Sequence, residues 1–304
     1  MFQFFASIFG YVLNFMNNFV GNYGLAIILF TVLIKIIMLP LSIKQQRTMK
    51  KSAKLQEQIK VLQFKYKNDP EKLNREMMDL YKKENMSPFS GCLSTIVQFI
   101  LLISIFYMVR FPLTYMKKVD ANVINKYTKI IKENDLSTDS AYPEIEVIRE
   151  LDNIKKLKEN NTENIEKNSE NNEEKTDLAE INDEELNSLD INMNFLGLNL
   201  AQIPTRSGDW KAFIIPVLYV LVSVISLRIT NPTPKKKDGE EKNSEDEFDP
   251  MAQMNKNMNL MFPVMYLAVA LIAPLGLALY WLMNSLLMII ERLALNKMLK
   301  DEEE

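Results

Sequence analysis

Lys35 is the sole charge within GLAIILFTVLIKIIMLPL (Gly24 to Leu41). A charged side chain at the centre of a spanning helix costs at least ~2.5 to 3.5 kcal/mol on insertion scales. Lys35 precedes Lys44 by nine positions, which sets it roughly 13 Å inside that charged flank at 1.5 Å per residue. Lysine snorkels several ångströms toward the headgroups, and the remaining depth calls for a wet cavity opening inward. The chemistry on offer is electrostatic: a fixed cation that holds an anionic group. Other polar residues in the apolar runs are mild, namely Thr31, Gln98, Ser104, Ser223, Ser226, Asn284 and Ser285. Gln98 and Asn284 suit the lining of the same cavity. Each equally suits a bond to a neighbouring helix, worth only ~0.6 kcal/mol on average. Glu291 and Arg292, at the end of the last apolar run, read as interface residues rather than a relay.

What is missing narrows the chemistry further. The chain has no His and one Cys, Cys92. That removes His-based acid–base catalysis, Ser-His-Asp hydrolysis, His or Cys metal sites and any intrachain disulfide. Cys92 reads as a reduced, small apolar residue near a membrane boundary. Neither a Gly-x-Ser-x-Gly nor a paired-Asp signature is present, which sets intramembrane proteolysis aside. The expectation is a non-enzyme with no cofactor and no metal.

The elements that position Lys35 follow from patterning. A mean hydropathy of -0.09 blends apolar runs of about 20 residues, enough to cross roughly 30 Å of hydrocarbon, with long tracts of Lys, Glu and Asn. Residues 1–19 carry Phe2, Phe5, Phe9 and Val12 at helical spacing and lack the basic start of a signal peptide. They suit an amphipathic helix on the membrane surface and, equally, an extension of the next helix. A first span covers 20–43, and Lys44, Arg47, Lys50, Lys51 and Lys54 follow it, so that end faces the cytoplasm and the N-terminus lies outside. Residues 44–86 read as a cytoplasmic helical hairpin, with Asp69 capping and Pro70 opening its second helix. Between Lys44 and Glu84 there are 12 Lys and Arg against 6 Asp and Glu. That excess serves topology and equally suits anionic lipid, ribosome or substrate.

The second span is 89–109, and an external segment occupies 111–209, with 21 acidic and 12 basic residues. Its flanks, Asn122 to Ile131 and Ile145 to Leu157, suit short helices. The stretch 158–186 has too few apolar residues to offset its chain entropy and is expected to be disordered. FLGLNLAQIP (Phe195 to Pro204) suits a segment at the outer interface. A third span, 210–229, leads to a mixed-charge cytoplasmic linker, 230–257. The fourth span, 258–273, turns at Pro274-Leu275-Gly276 into the fifth, 277–295, and a cytoplasmic tail, 296–304. The fold class is all-α: a polytopic membrane protein with five transmembrane helices, a cytoplasmic helical hairpin and a disordered external insert.

GNYGLAIILFTVLIKIIMLPL (Gly21 to Leu41) resembles the first conserved helix of the YidC/Oxa/Alb insertases. The stretch from Ser42 to Leu93 resembles their cytoplasmic hairpin, and MFPVMYLAVALIAPLGLALYWLMNSL (Met261 to Leu286) their last two helices. The lack of a large folded domain before the first helix is similar to the Gram-positive type. The resemblance implies a positively charged, water-filled groove, open to cytoplasm and lipid, that draws the hydrophilic, often acidic, flank of a nascent membrane protein while its hydrophobic segment slides into lipid. It implies a substrate-binding groove of Lys35, Thr31, Gln98, Ser226, Trp281 and Asn284. Lys35 stands where the family carries arginine; it keeps the charge but loses the planar five-donor fork. Ser94 stands where proline is common, Ser226 where some relatives have a groove glutamine, and the tail ends in Asp301 to Glu304 rather than a long basic extension.

The implied function is a membrane protein insertase and chaperone of the bacterial cytoplasmic membrane. It would act on nascent membrane proteins alone or beside the Sec translocon, with the ribosome and membrane lipids as further partners and no nucleic-acid recognition. The alternative is a small-solute transporter or channel using Lys35 as an anion-binding charge. Against it, the sequence offers no acidic residue clearly away from an interface and no matched pair of interrupted half-helices.

Overall fold

The computed structural model describes residues 1–84, 90–136, 141–167, 181–230 and 267–301. They are mostly helical, with one small hairpin and an irregular stretch over 190–209, and they divide into two compact units. One comprises Gln3–Val32 and Ser104–Ile289, the other Leu33–Ile103 and Ile290–Glu304.

In the first unit, α1 (Phe2–Val20) is a separate helix, not an extension of the next. Gly21 ends it in the left-handed conformation at φ 66°, donating to Asn17 O at 2.7 Å, a conformation that costs glycine nothing. The chain restarts as α2 (Tyr23–Lys65), where Asn22 Oδ1 accepts the Leu25 N–H. Ala6, Phe9, Gly10 and Leu13 are buried on α1, with Phe9 edge-on to Phe30 at 5.7 Å. A π-helical turn, Leu113–Lys117, approaches Gly10 so closely that a Cβ there would overlap the Tyr115 carbonyl.

The described parts of the segment 111–209 are folded. Helices α5 (Ala121–Glu133), α6 (Pro143–Arg149), α7 (Leu151–Lys167) and α8 (Asp183–Leu189) bury Tyr127, Ile130, Ile131, Val147, Ile154 and Leu189. The short helices expected on its flanks are present. Within the stretch 158–186 expected to be disordered, residues 158–167 instead continue α7 and residues 183–186 begin α8, while 168–180 lie outside the described residues. Composition misled because ion pairs supplement a sparse core. Lys158 meets Asp183 at 2.6 Å and Lys126 meets Glu185 at 2.6 Å, and Ile181, Leu186 and Leu189 are buried.

The stretch after α8 closes the helix ends. Strands β1 (Asn194–Phe195) and β2 (Leu198–Asn199) pair antiparallel across Leu196 and Gly197, both at positive φ. Asn192 O accepts from Tyr23 N, and Asn192 Nδ2 and Asn22 Nδ2 donate to Gly21 O and Asn194 O, fastening the break between α1 and α2. Phe195 lies against Gly24, where a Cβ would overlap its ring. Helix α9 (Ile214–Thr230) follows a short 3-10 turn, Trp210–Phe213. Residues 267–272 are helical, and the remainder of the expected fourth span lies outside the described residues, as do most of the linker 230–257 and the last three residues. Helix α10 (Leu275–Asp301) begins where Gln202 O and Leu200 O accept the N–H groups of Leu275 and Gly276, two donors that a helix start cannot satisfy internally.

The second unit holds the rest of α2, α3 (Pro70–Lys83), the first part of α4 (Ser90–Arg110) and the end of α10. Helix α2 runs unbroken through Pro40 and past Ile43 into the charged region. Pro40 removes one backbone donor, and spanning helices accept such a proline where neighbouring groups or local adjustment re-satisfy the freed carbonyl. The turn into α3 is as expected: Asp69 accepts the Lys72 N–H at 3.0 Å and Pro70 opens the helix. The side chain of Cys92 lies outside the described residues.

Glu144, 3% exposed, accepts both the N–H and the hydroxyl of Thr114, at 3.0 and 2.5 Å, fastening α6 to the π turn. Burial pushes its pKa above the ordinary 4.5, with the Thr114 bonds opposing. A carboxyl whose folded pKa is raised stabilises most below its unfolded value and less as pH rises through the folded one. Unfolding of wild type against Glu144→Gln at pH 7 and about 4 should therefore show the difference moving in favour of wild type on acidification. Gly10→Ala should cost about 1–3 kcal/mol, from overpacking against backbone, read as a lower melting temperature in detergent.

Candidate functional site

Lys35 lies on α2 one helical turn beyond Thr31, within Tyr23–Ser52, a helical stretch long and apolar enough to cross a membrane. Its side chain is 23% exposed, and its Nζ lies 3.3 Å from Glu291 Oε2, whose side chain is 13% exposed. Glu291 sits on α10 within Leu275–Met298, the other such stretch. Glu291, read from sequence as an interface residue at the end of the last apolar run, pairs with Lys35. The pairing was invisible to local inspection because 256 positions separate the two residues. The available signal was an acidic residue inside the apolar run LLMIIERLAL, seven positions beyond Asn284, with a lysine in another span to answer it.

The pair is incompletely satisfied. Glu291 Oε1 is buried without a hydrogen-bond partner, and Glu291 is the one hydrogen-bond or ion-pair partner of Lys35 among the described residues. Charge-assisted bonds of this type run at about 2.7–2.9 Å, so 3.3 Å is a loose contact. Amides tie the same helices nearby. Gln45 Oε1 accepts from Gln98 Nε2 at 2.9 Å, joining α2 to α4, and Gln46 Nε2 donates to Asn296 Oδ1 at 2.9 Å, joining α2 to α10.

The other residues named from sequence are placed differently. Thr31 is buried in the first unit, and its hydroxyl donates to Ile27 O at 2.6 Å, an i−4 bond within its own helix. Ser226 is buried and Asn284 half-buried in that unit. Trp281 packs its ring against Tyr219, centroids 6.2 Å apart. Gln98, in the second unit, bonds Gln45 rather than Lys35. Among the described residues no cluster of His, Cys, Asp and Glu suits a metal ion.

Removing one member of such a pair leaves a poorly hydrated charge, whereas removing both does not. Lys35→Leu/Glu291→Leu should therefore unfold closer to wild type than Glu291→Leu alone, by about 1–2 kcal/mol, measured by thermal unfolding of the detergent-solubilised chain.

Two long apolar helices, the shorter apolar helices Ile96–Arg110 and Trp210–Ser226, and a charge pair inside the long ones describe a helical membrane protein. The family model described as 60Kd inner membrane protein matches residues 15–303. The membrane protein insertase YidC of Francisella tularensis subsp. novicida (strain U112) is 47% identical over 108 residues, 36% of this chain and 20% of that protein. The proteins of the same name from subsp. tularensis (strain SCHU S4 / Schu 4) and subsp. holarctica (strain LVS) align with the same identity and coverage. The aligned stretch spans about a fifth of the length of these relatives. The chain belongs to the 60Kd inner membrane protein family, that of the YidC/Oxa/Alb insertases.

Proposed function

We propose that this chain is an insertase and membrane chaperone that moves hydrophobic segments of nascent proteins from the cytoplasm into the bacterial cytoplasmic membrane. The observation that carries this reading is a lysine inside a spanning helix, only partly exposed, in a chain of an insertase family. A polar flank crossing the bilayer meets its largest barrier in the hydrocarbon, where each charge costs several kcal/mol. A hydrated groove that presents Lys35 lowers that barrier for an acidic flank, while the hydrophobic segment partitions into lipid. No covalent bond is made or broken, so the activity is not enzymatic and needs no cofactor.

The basic flanks at Lys44 to Lys54, Lys235 to Lys237 and Arg292 to Lys300 support five spans with the N-terminus outside, the hairpin cytoplasmic and the C-terminus inside. The amphipathic hairpin, with its excess of Lys and Arg and its exposed α3, suits early contact with a client, with anionic lipid or with a ribosome. Action alone and action beside the Sec translocon are both compatible with that arrangement. The substrate-lining roles of Thr31, Gln98, Ser226, Trp281 and Asn284 are proposals drawn from the sequence. Use of Lys35 as a transporter's anion site would instead appear as saturable solute uptake in proteoliposomes.

In bacteria depleted of their own insertase, the wild-type chain should restore insertion of a client with a short acidic flank. At equal abundance, Lys35→Ala should lower that insertion about tenfold and Lys35→Arg should retain it. Equal insertion by wild type and Lys35→Ala would remove Lys35 from the mechanism.

A further inference from the structure

We propose that Glu291 sets the charge threshold for clients: at rest its carboxylate occupies the Lys35 ammonium, and a client flank is accepted when its own carboxylates take that place. The inference rests on the insertase reading above and names the residue that tunes it.

Three observations carry it. The Lys35–Glu291 contact is 3.3 Å, longer than a tight ammonium–carboxylate bond at about 2.7–2.9 Å. An ammonium has three donors, and one partner accounts for all its bonding among the described residues. Glu291 Oε1 is buried with no hydrogen bond, so the carboxylate is held through one oxygen. A pair built only to lock two helices would use both oxygens and a short contact, because an unsatisfied buried acceptor costs about 1–3 kcal/mol. Among the described residues this pair is under-bonded on both sides, and two ammonium protons are left for an incoming carboxylate.

Exchange then follows from competition. A client carboxylate arriving at Lys35 meets a cation already neutralised, so a single acidic residue gains little from long-range attraction. Several carboxylates on one flank raise the local concentration of competitor around Lys35, and Glu291 turns about its side-chain torsions toward the solvent that already reaches it. The number of ion pairs at Lys35 is the same before and after. Glu291 thus selects against weakly acidic and neutral flanks without blocking strongly acidic ones.

The test uses the full chain in proteoliposomes and clients that differ only in having none, one, two or three Asp residues in the translocated flank. With wild type, insertion should rise mainly at the second or third Asp. Glu291→Gln keeps an oxygen for Lys35 but no charge, and should move the rise to fewer carboxylates, increasing insertion of the one-Asp client about three- to tenfold. In a Lys35→Ala background the same substitution should have no effect. A Glu291→Gln chain that inserts every client less well in equal proportion, or with an unshifted dependence on Asp number, overturns the proposal. So does an effect of Glu291→Gln that persists without Lys35. If Glu291→Gln fails to accumulate, Glu291→Asp, a charge on a shorter arm, should shift the dependence the same way by less, and no shift overturns the proposal. A wild-type chain that inserts none of the clients sinks the insertase reading itself, an outcome separate from indifference to Glu291.

Discussion

An ammonium in hydrocarbon has to be answered by water, by dipoles or by a counter-charge, and this chain answers with a carboxylate from its last helix. That constraint organises the whole second unit. Lys35 and Gln46 on α2 reach Glu291 and Asn296 on α10, so the helices are joined in parallel at two levels. Gln45, next to Gln46, turns about 100° around the helix axis and bonds Gln98 on α4 instead. Two adjacent amides therefore key α2 to two different neighbours. Within lipid there is little hydrophobic drive between helices, because acyl chains are as apolar as leucine. Polar pairs then supply the specificity that an apolar core supplies in water.

The first unit solves a different problem, the satisfaction of helix ends. Breaking the chain at Gly21-Asn22 and starting α10 at Leu275 exposes backbone donors and acceptors. The stretch from Asn192 to Gln202 supplies their partners: the Asn192 side chain and carbonyl at one break, the Leu200 and Gln202 carbonyls at the other. Gly24 lets the Phe195 ring settle against α2. One strap thus holds the starts of two apolar helices that lie far apart in sequence. The acidic helices before it are joined to it through Leu189 and Ile191, both buried, which gives a segment rich in charge a structural reason to be ordered.

The sequence disclosed elements governed by local rules. Asp69-Pro70 ends one helix and starts another because a capping carboxylate and a fixed φ act within four residues. The long apolar runs and the helices flanking the external segment are local in the same sense. What stayed hidden depends on partners distant in the chain. Residues 158–167 look unable to fold by composition, yet they continue a helix whose earlier turns bury Leu151 and Ile154. The Lys35–Glu291 contact joins residues 256 positions apart. Thr31, judged from type and position, suggested a lining hydroxyl, yet its own helix takes that proton.

A neutralised cation suits transient passage better than an isolated one. A lone buried ammonium would bind the first carboxylate to reach it strongly, since that carboxylate would relieve the full desolvation penalty. Release would then require restoring the penalty, and the client would remain bound. Where an internal carboxylate waits, arrival and departure each trade one ion pair for another, and the free-energy difference between the loaded and unloaded states shrinks. The hydrophobic segment moving into lipid can then decide the direction. On the insertase reading proposed above, a loosely made charge pair, 23% and 13% exposed, would keep the polar flank moving while the apolar segment supplies the drive.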